Sequence, residues 1–242
     1  MAKGRDASLP PLFSRQTRPS GMSSEDWQTL RARWELSRRH PSYFLRWFAH
    51  TCDQHDPLEP VKPFPWNKPH IVALTDLWMR EPRLVIAKSR QMICTWLFSA
   101  LYLWDTMFNE GRLNMLQSKR EEDAIGDEAS GDGLLGRAKF ILNNIPSPAR
   151  ELLVPKHKMK ANRLVFPLQN STLWAIPQGA DIIRQRTASG ILSDEAGFQP
   201  EFADAFMAAT PCVKGGGRFT ILSTANPGYF EWLYRDMLDD YD

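Results

Sequence analysis

Apolar positions recur along this chain at two different intervals, and the switch between them divides it into parts. Trp27, Leu30 and Trp34 follow at helical spacing behind Ser23 and Asp26, a pair that resembles a capping box, so a helix is expected to run to about His40. Pro41 suits the first turn of a second helix, with Phe44, Leu45, Trp47 and Phe48 facing a core. Pro57, Pro60, Pro63, Pro65 and Pro69 each lack a backbone donor, so Asp56 to Pro69 is expected to be an extended connector. Beyond it the two periods alternate. Ile71 to Met79 is helical in pattern, Arg83 to Ala87 strand-like, Thr95 to Phe108 helical and Leu113 to Gln117 strand-like, with a helical region through Leu142. Arg163 to Pro167 and Thr172 to Ile176, divided by Gln169, Asn170 and Ser171, predict a hairpin. Gly190 to Leu192 and Phe219 to Leu222 are short apolar runs of the kind buried in parallel sheets, and Phe230 to Leu238 returns to helical spacing.

This order predicts an α/β fold in which a mostly parallel central sheet is flanked by helices. Residues 1–22, rich in Pro, Ser, Gly and basic side chains without an apolar period, are expected to form a flexible arm. Residues 23–56 then form a small helical lead-in, and 57–242 the main domain.

Composition narrows the partners. Hydrophobic residues make up 43% of 242, enough for a substantial core. Lys and Arg number 30 against 28 Asp and Glu, so any nucleic-acid contact must be local. Cys52, Cys94 and Cys212 are an odd, widely spaced set in a chain that opens without a signal-like segment, which argues for a reducing compartment. The longest apolar runs, such as Trp96 to Trp104, reach about half the ~20 residues of a membrane span, so no membrane role is expected. His50, Cys52, Asp53 and His55 are metal-ligand types, but no second Cys or His pair stands at a closing distance. Trp27, Trp34, Trp47, Trp96 and Trp104 lie on helical apolar stripes and are expected in the core rather than as platforms for bases. Lys156, Lys158, Lys160 and Arg163 fit either a solvated loop or a contact with DNA phosphates.

Three polar segments each follow an apolar strand, and ligands of open α/β sheets bind at the carboxyl ends of strands. The first is Ala87-Lys88-Ser89-Arg90-Gln91-Met92-Ile93-Cys94-Thr95, between a strand and a long helix. A phosphate loop needs inward main-chain N–H groups, a cation for phosphate oxygens and a hydroxyl for Mg²⁺. Thr95 stands at the hydroxyl position, while Ile93 and Cys94 replace the Gly and Lys of the usual pattern and Lys88 and Arg90 supply cations at the front of the loop. The second segment, Ser193-Asp194-Glu195-Ala196, places one carboxylate for a Mg²⁺ shell and the next for the attacking water. The third, Ser223-Thr224-Ala225-Asn226, offers small hydrogen-bonding side chains suited to a γ phosphate or its water.

Together these segments resemble the ATPase domain of the terminase large subunit of tailed bacteriophages, over about residues 60 to 240. Ser89-Arg90-Gln91-Met92 resembles the opening of that family's phosphate loop, and Lys88 matches the lysine that some members carry at its front. Asp194-Glu195-Ala196, with Arg184-Gln185-Arg186-Thr187 upstream, resembles the acidic motif, Ser223 to Asn226 the coupling motif, and Gly228 to Tyr234 the approach to the lid.

The resemblance implies a P-loop NTPase of the ASCE type that hydrolyses ATP with Mg²⁺ and threads double-stranded viral DNA into a procapsid. It would work as a homo-oligomeric ring, a pentamer, on the portal protein and with the small terminase subunit, in the host cytoplasm. Glu195 would be the catalytic base, and Asp194 and Thr95 the Mg²⁺ shell. Lys88, Ser89, Arg90, Gln91, Cys94 and Thr95 would bind ATP, and Ser223, Thr224 and Asn226 would couple hydrolysis to movement. The family's adenine-reading Gln has its nearest counterpart in Pro69-His70, and no nuclease activity is expected of this chain. An arginine from a neighbouring subunit often completes such a site, with Arg137, Arg163 and Arg184 as candidates. Two other readings use the same residues: a helicase-like ATPase stimulated by nucleic acid, and a degenerate nucleotide-binding module kept for assembly.

Overall fold

A computed structural model describes residues 18–90 and 92–239. Gln91 and most of the expected arm lie outside the described residues.

Helix α1 (Ser24–Arg39) opens on Ser23, whose Oγ accepts from the Asp26 amide at 3.0 Å. The Asp26 carboxylate bonds the Ser23 hydroxyl at 2.7 Å, so the cap closes side chain to side chain. Pro41 starts α2 (Pro41–Trp47), with Phe44 and Leu45 fully buried. The expected connector is only partly irregular. Its segment β2 (Val61–Pro63) pairs antiparallel with β1 (His50–Cys52), a two-stranded ribbon short enough to tolerate Pro63 at its end.

Pro69 is the first residue of α3 (Pro69–Arg80) and is followed by β3 (Arg83–Ala87), α4 (Cys94–Phe108) and β4 (Leu113–Gln117). The helical region after β4 resolves into α5 (Glu121–Ile125) and α6 (Leu134–Asn143), and a short α7 (Ala149–Leu152) comes next. The expected hairpin is the inner part, β6 (Arg163–Phe166) with β7 (Ser171–Ile176), of a three-stranded meander whose outer strand is β5 (Lys158–Lys160). Lys158 and Lys160 are therefore on an edge strand rather than in a loop, where exposed lysines discourage pairing with another chain. A short α8 (Asp181–Arg184), β8 (Gly190–Ser193), α9 (Phe202–Lys214), β9 (Arg218–Ser223) and α10 (Tyr229–Asp239) complete the order.

The main sheet runs β3-β9-β8-β4-β7-β6-β5, with β3 through β7 parallel and the last two strands antiparallel. Its pleat divides the core. Leu116, Leu192 and Leu222 join one apolar cluster with α1 to α4 and α6, while their neighbours Met115, Ile191 and Ile221 join a second with α9 and α10. Helix α4 is buried on every side from Leu97 to Leu103, as expected of a helix sandwiched between a sheet and further helices. Trp34 packs edge-on against Phe48 and Phe108 at 5.0 and 5.1 Å, and the Trp104 indole donates to the Ser37 carbonyl at 2.6 Å. Those contacts dock the lead-in on α4.

The parallel register fixes where the polar segments meet. Ala87 lies opposite Ser223, Ser193 opposite Ile221, and Gln117 opposite Ser193. Lys88, Thr224, Asp194 and Ser118, each the next residue, consequently emerge at one carboxyl edge.

Candidate functional site

Lys88 to Arg90 follow β3, and Met92 and Ile93 lead into α4. Ile93 takes a left-handed backbone, with φ 59°. This is the position where the phosphate-loop pattern has Gly, and the backbone still demands what Gly gives freely; for a β-branched residue it costs about 1–3 kcal/mol. The first turn of α4 follows, with no side-chain cap for its leading N–H groups. Cys94 is buried there, its thiol 3.7 Å from the Met92 carbonyl. The loop is also held from outside, because the His70 Nε2 lies 3.2 Å from that carbonyl.

Lys88 reaches across the loop rather than into solvent. Its Nζ lies 2.7 Å from the Thr95 Oγ1 and 2.8 Å from the Asp194 Oδ1, and the Thr95 hydroxyl donates to the Asp194 Oδ2 at 2.9 Å. Ammonium, hydroxyl and carboxylate thus close a triangle across 99 residues of sequence, with the Lys88 and Asp194 side chains 13% and 8% exposed. Removing one member of such a buried pair leaves an uncompensated charge, a loss of roughly 3–5 kcal/mol.

Asp194 ends β8 and is fixed by its surroundings. The Gln199 amide donates to the Asp194 carbonyl at 2.8 Å and to the Ser193 hydroxyl at 3.0 Å, and the Asp194 Oδ1 accepts from the Glu195 amide at 3.0 Å. Glu195 is the second non-glycine residue near the site in a left-handed conformation, with φ 54°. This turn leaves Asp194 buried and Glu195 exposed at the cleft.

A cleft of about 450 Å³ opens above the triangle, lined by Lys88, Arg90, Thr95, Arg137, Glu195 and Thr224 among others. Ser89, Ile93 and Cys94 also face it, as do Lys119 and Trp96. Trp96 is partly buried against the core, as Trp47 is, and in addition lines this wall. The cations outnumber Glu195 on the walls, a balance suited to an anion.

The third polar segment divides. Thr224 lines the cleft, but Ser223 and Asn226 turn to the backbone after Glu195. The Ser223 Oγ accepts from the Gly197 amide at 3.0 Å, and the Asn226 amide donates to the Gly197 carbonyl. Both ends of the Gly197 residue are therefore gripped by the segment that follows β9. The three arginine candidates separate as well. Arg137 faces the cleft of its own chain, Arg163 lies over the Trp174 ring at 3.9 Å, and Arg184 is mostly exposed, 3.7 Å from Asp181.

The donor set is suitable for Mg²⁺. Thr95 and Asp194 present hard oxygens, and the Lys88 ammonium already lies against both, marking a cation position. Among the described residues no group of three His, Cys, Asp or Glu could hold a metal, including the run from His50 to His55. Two protein oxygens completed by phosphate and water is the coordination habit of Mg²⁺, not of a caged structural ion.

Strand β9 is inserted between the loop strand β3 and the acid strand β8, the strand order of a P-loop fold with an additional strand. Comparison with solved structures agrees: the chain has the fold of a phage large terminase ATPase domain. A mutant of the Thermus phage P74-26 large terminase ATPase domain superposes with a TM-score of 0.50 over 67% of this chain and 68% of that one, at 18% identity. The HK97 bacteriophage large terminase superposes with a TM-score of 0.56 over 85% of this chain and 42% of that one, at 15% identity. No family model and no curated protein matches the sequence.

Proposed function

We propose that this chain is the ATP-hydrolysing motor of viral double-stranded DNA packaging, the ATPase part of a terminase large subunit. The observation that carries the reading is the meeting of Lys88, Thr95 and Asp194 within hydrogen-bond distance beneath a cationic cleft that also holds Glu195. Its membership of a fold seen in packaging ATPases supports the choice among nucleotide enzymes.

In this mechanism the nucleotide phosphates lie against the first turn of α4, where main-chain N–H groups and the helix dipole favour negative charge. Lys88 and Arg90 bind phosphate oxygens, with Ser89 and Cys94 shaping the loop around them. Thr95 and Asp194 would hold Mg²⁺, which when bound would neutralise charge on the phosphates. Glu195, exposed at the mouth of the cleft, orients the attacking water and accepts its proton. Ser223 and Asn226 relay the state of that acid through Gly197 to α10, and Thr224 faces the phosphate side. DNA, the portal, the small terminase subunit and further copies in a ring are the partners that this reading requires, in the host cytoplasm at the procapsid. Among the described residues no helix is long and apolar enough to cross a membrane.

The test is hydrolysis and binding measured together. Glu195→Gln should retain affinity for ATP and lose turnover by a factor on the order of 10²–10⁴, because the acceptor of the water proton is gone while the binding cations remain. An unchanged rate in that variant, or no ATP binding by the natural chain, would sink the reading.

A further inference from the structure

Arg137 leaves β4 behind by one helix and returns over the cleft on α6. Its approach is built into the backbone. Gly126 and Gly133, both with positive φ, cross so closely before α6 that a Cβ on Gly126 would fall 1.8 Å from the Asp132 carbonyl oxygen. The guanidinium is then steadied from two sides: Nη1 donates to the Gly133 carbonyl at 3.2 Å, and the Trp96 ring lies 5.7 Å away.

What it lacks is an anion. Among the described residues no Asp or Glu oxygen comes within 4.0 Å of Arg137, and its buried Nε has no hydrogen-bond partner. Burial pushes its pKa down, opposed by attraction to Asp194, Asp132 and Glu195. A guanidinium stays charged in proteins, so a largely desolvated one without a counter-ion is poised for an acceptor from outside.

Position says which acceptor. Arg137, Lys88, Thr95 and Glu195 line both the main cleft and the smaller recess beside Asp194, whereas Arg90, Met92 and Ile93 line only the main cleft. Arg137 therefore stands at the acid end, opposite the mouth of the loop.

We propose that Arg137 binds the terminal phosphate of the nucleotide from within its own chain, and thereby makes the site prefer a nucleoside triphosphate to a diphosphate. The inference rests on the nucleotide reading above. It removes Arg137 from the arginines that a neighbour would donate and leaves the exposed Arg184 available for that task.

Calorimetric titration with a non-hydrolysable ATP analogue and with ADP, at a concentration where light scattering shows a monomer, tests it. Arg137→Gln should weaken the triphosphate by roughly tenfold to a hundredfold, the worth of a charge-assisted hydrogen bond, and ADP by no more than about twofold. Arg137→Lys keeps the charge and loses the fork, and should fall between; it also serves if the Gln variant does not fold. Equal losses for both nucleotides, or an undiminished preference for the triphosphate, overturn the proposal while the ATPase reading stands. A natural chain that binds neither nucleotide overturns both.

Discussion

The Nζ of Lys88 lies 2.8 Å from the Oδ1 of Asp194, so the cation at the front of the loop after β3 is paired with the acid strand. The same ammonium touches the Thr95 hydroxyl at 2.7 Å and so stands where Thr95 and Asp194 would hold a metal.

On the proposed reading a free divalent ion would have to displace that ammonium, whereas a nucleotide would draw it toward phosphate. We predict that Mg²⁺ alone leaves the melting temperature of the natural chain unchanged. Lys88→Met, with Asp194 buried and unpaired, should lose roughly 3–5 kcal/mol of stability and regain part of it on adding Mg²⁺ without nucleotide. Calorimetric melting with and without the ion checks this; a variant indifferent to Mg²⁺ would mean that Thr95 and Asp194 are not the metal shell.

Gly197 is the joint between the acid turn and the segment after β9. A Cβ there would lie 2.8 Å from the Ser223 Oγ and 3.2 Å from the Asn226 Cβ. Gly197→Ala should push Glu195 out of position and lower hydrolysis by ~10–10²-fold, since a displacement near 1 Å costs that much, with nucleotide affinity nearly unchanged. Rates and binding measured on the same preparation separate the two. Full activity in this variant would refute the clamp.

Docking of the lead-in depends on Trp34, 1% exposed between Phe48 and Phe108. Trp34→Ala should cost about 3–5 kcal/mol in urea unfolding, the range for emptying a large aromatic site. A loss under ~1 kcal/mol would show that the lead-in is held elsewhere.

Stability should fall on both sides of neutral pH. Burial holds the His50 pKa low, so the unfolded chain takes up a proton first and the fold weakens as pH drops below ~6.5. Burial raises the thiols of Cys94, Cys212 and Cys52, the last helped by Asp132 and Asp53, so the unfolded chain releases protons first and the fold weakens as pH rises above ~8.5. Denaturant midpoints at several pH values check both arms; His50→Gln should flatten the acidic one.

Local pattern alone determined much of this molecule. The ranges of β3 and β4, the capped start of α1, the proline entry to α2, and the alternation behind a parallel sheet all follow from spacing and backbone chemistry over a few residues. The loop and acid segments were legible for the same reason, because strand-end position is written in the apolar run before them. Tertiary structure decided the rest. The three-residue strands β1, β2 and β5 exist only through partners and carry no period of their own, and no local pattern marks α9, whose Pro211 opposes a helix by local rules. Neither the left-handed turns at Ile93 and Glu195 nor the direction of Asn226 and Arg137 is written in spacing. They are set by contacts between segments tens of residues apart, where the energy of one position depends on what the sheet brings beside it.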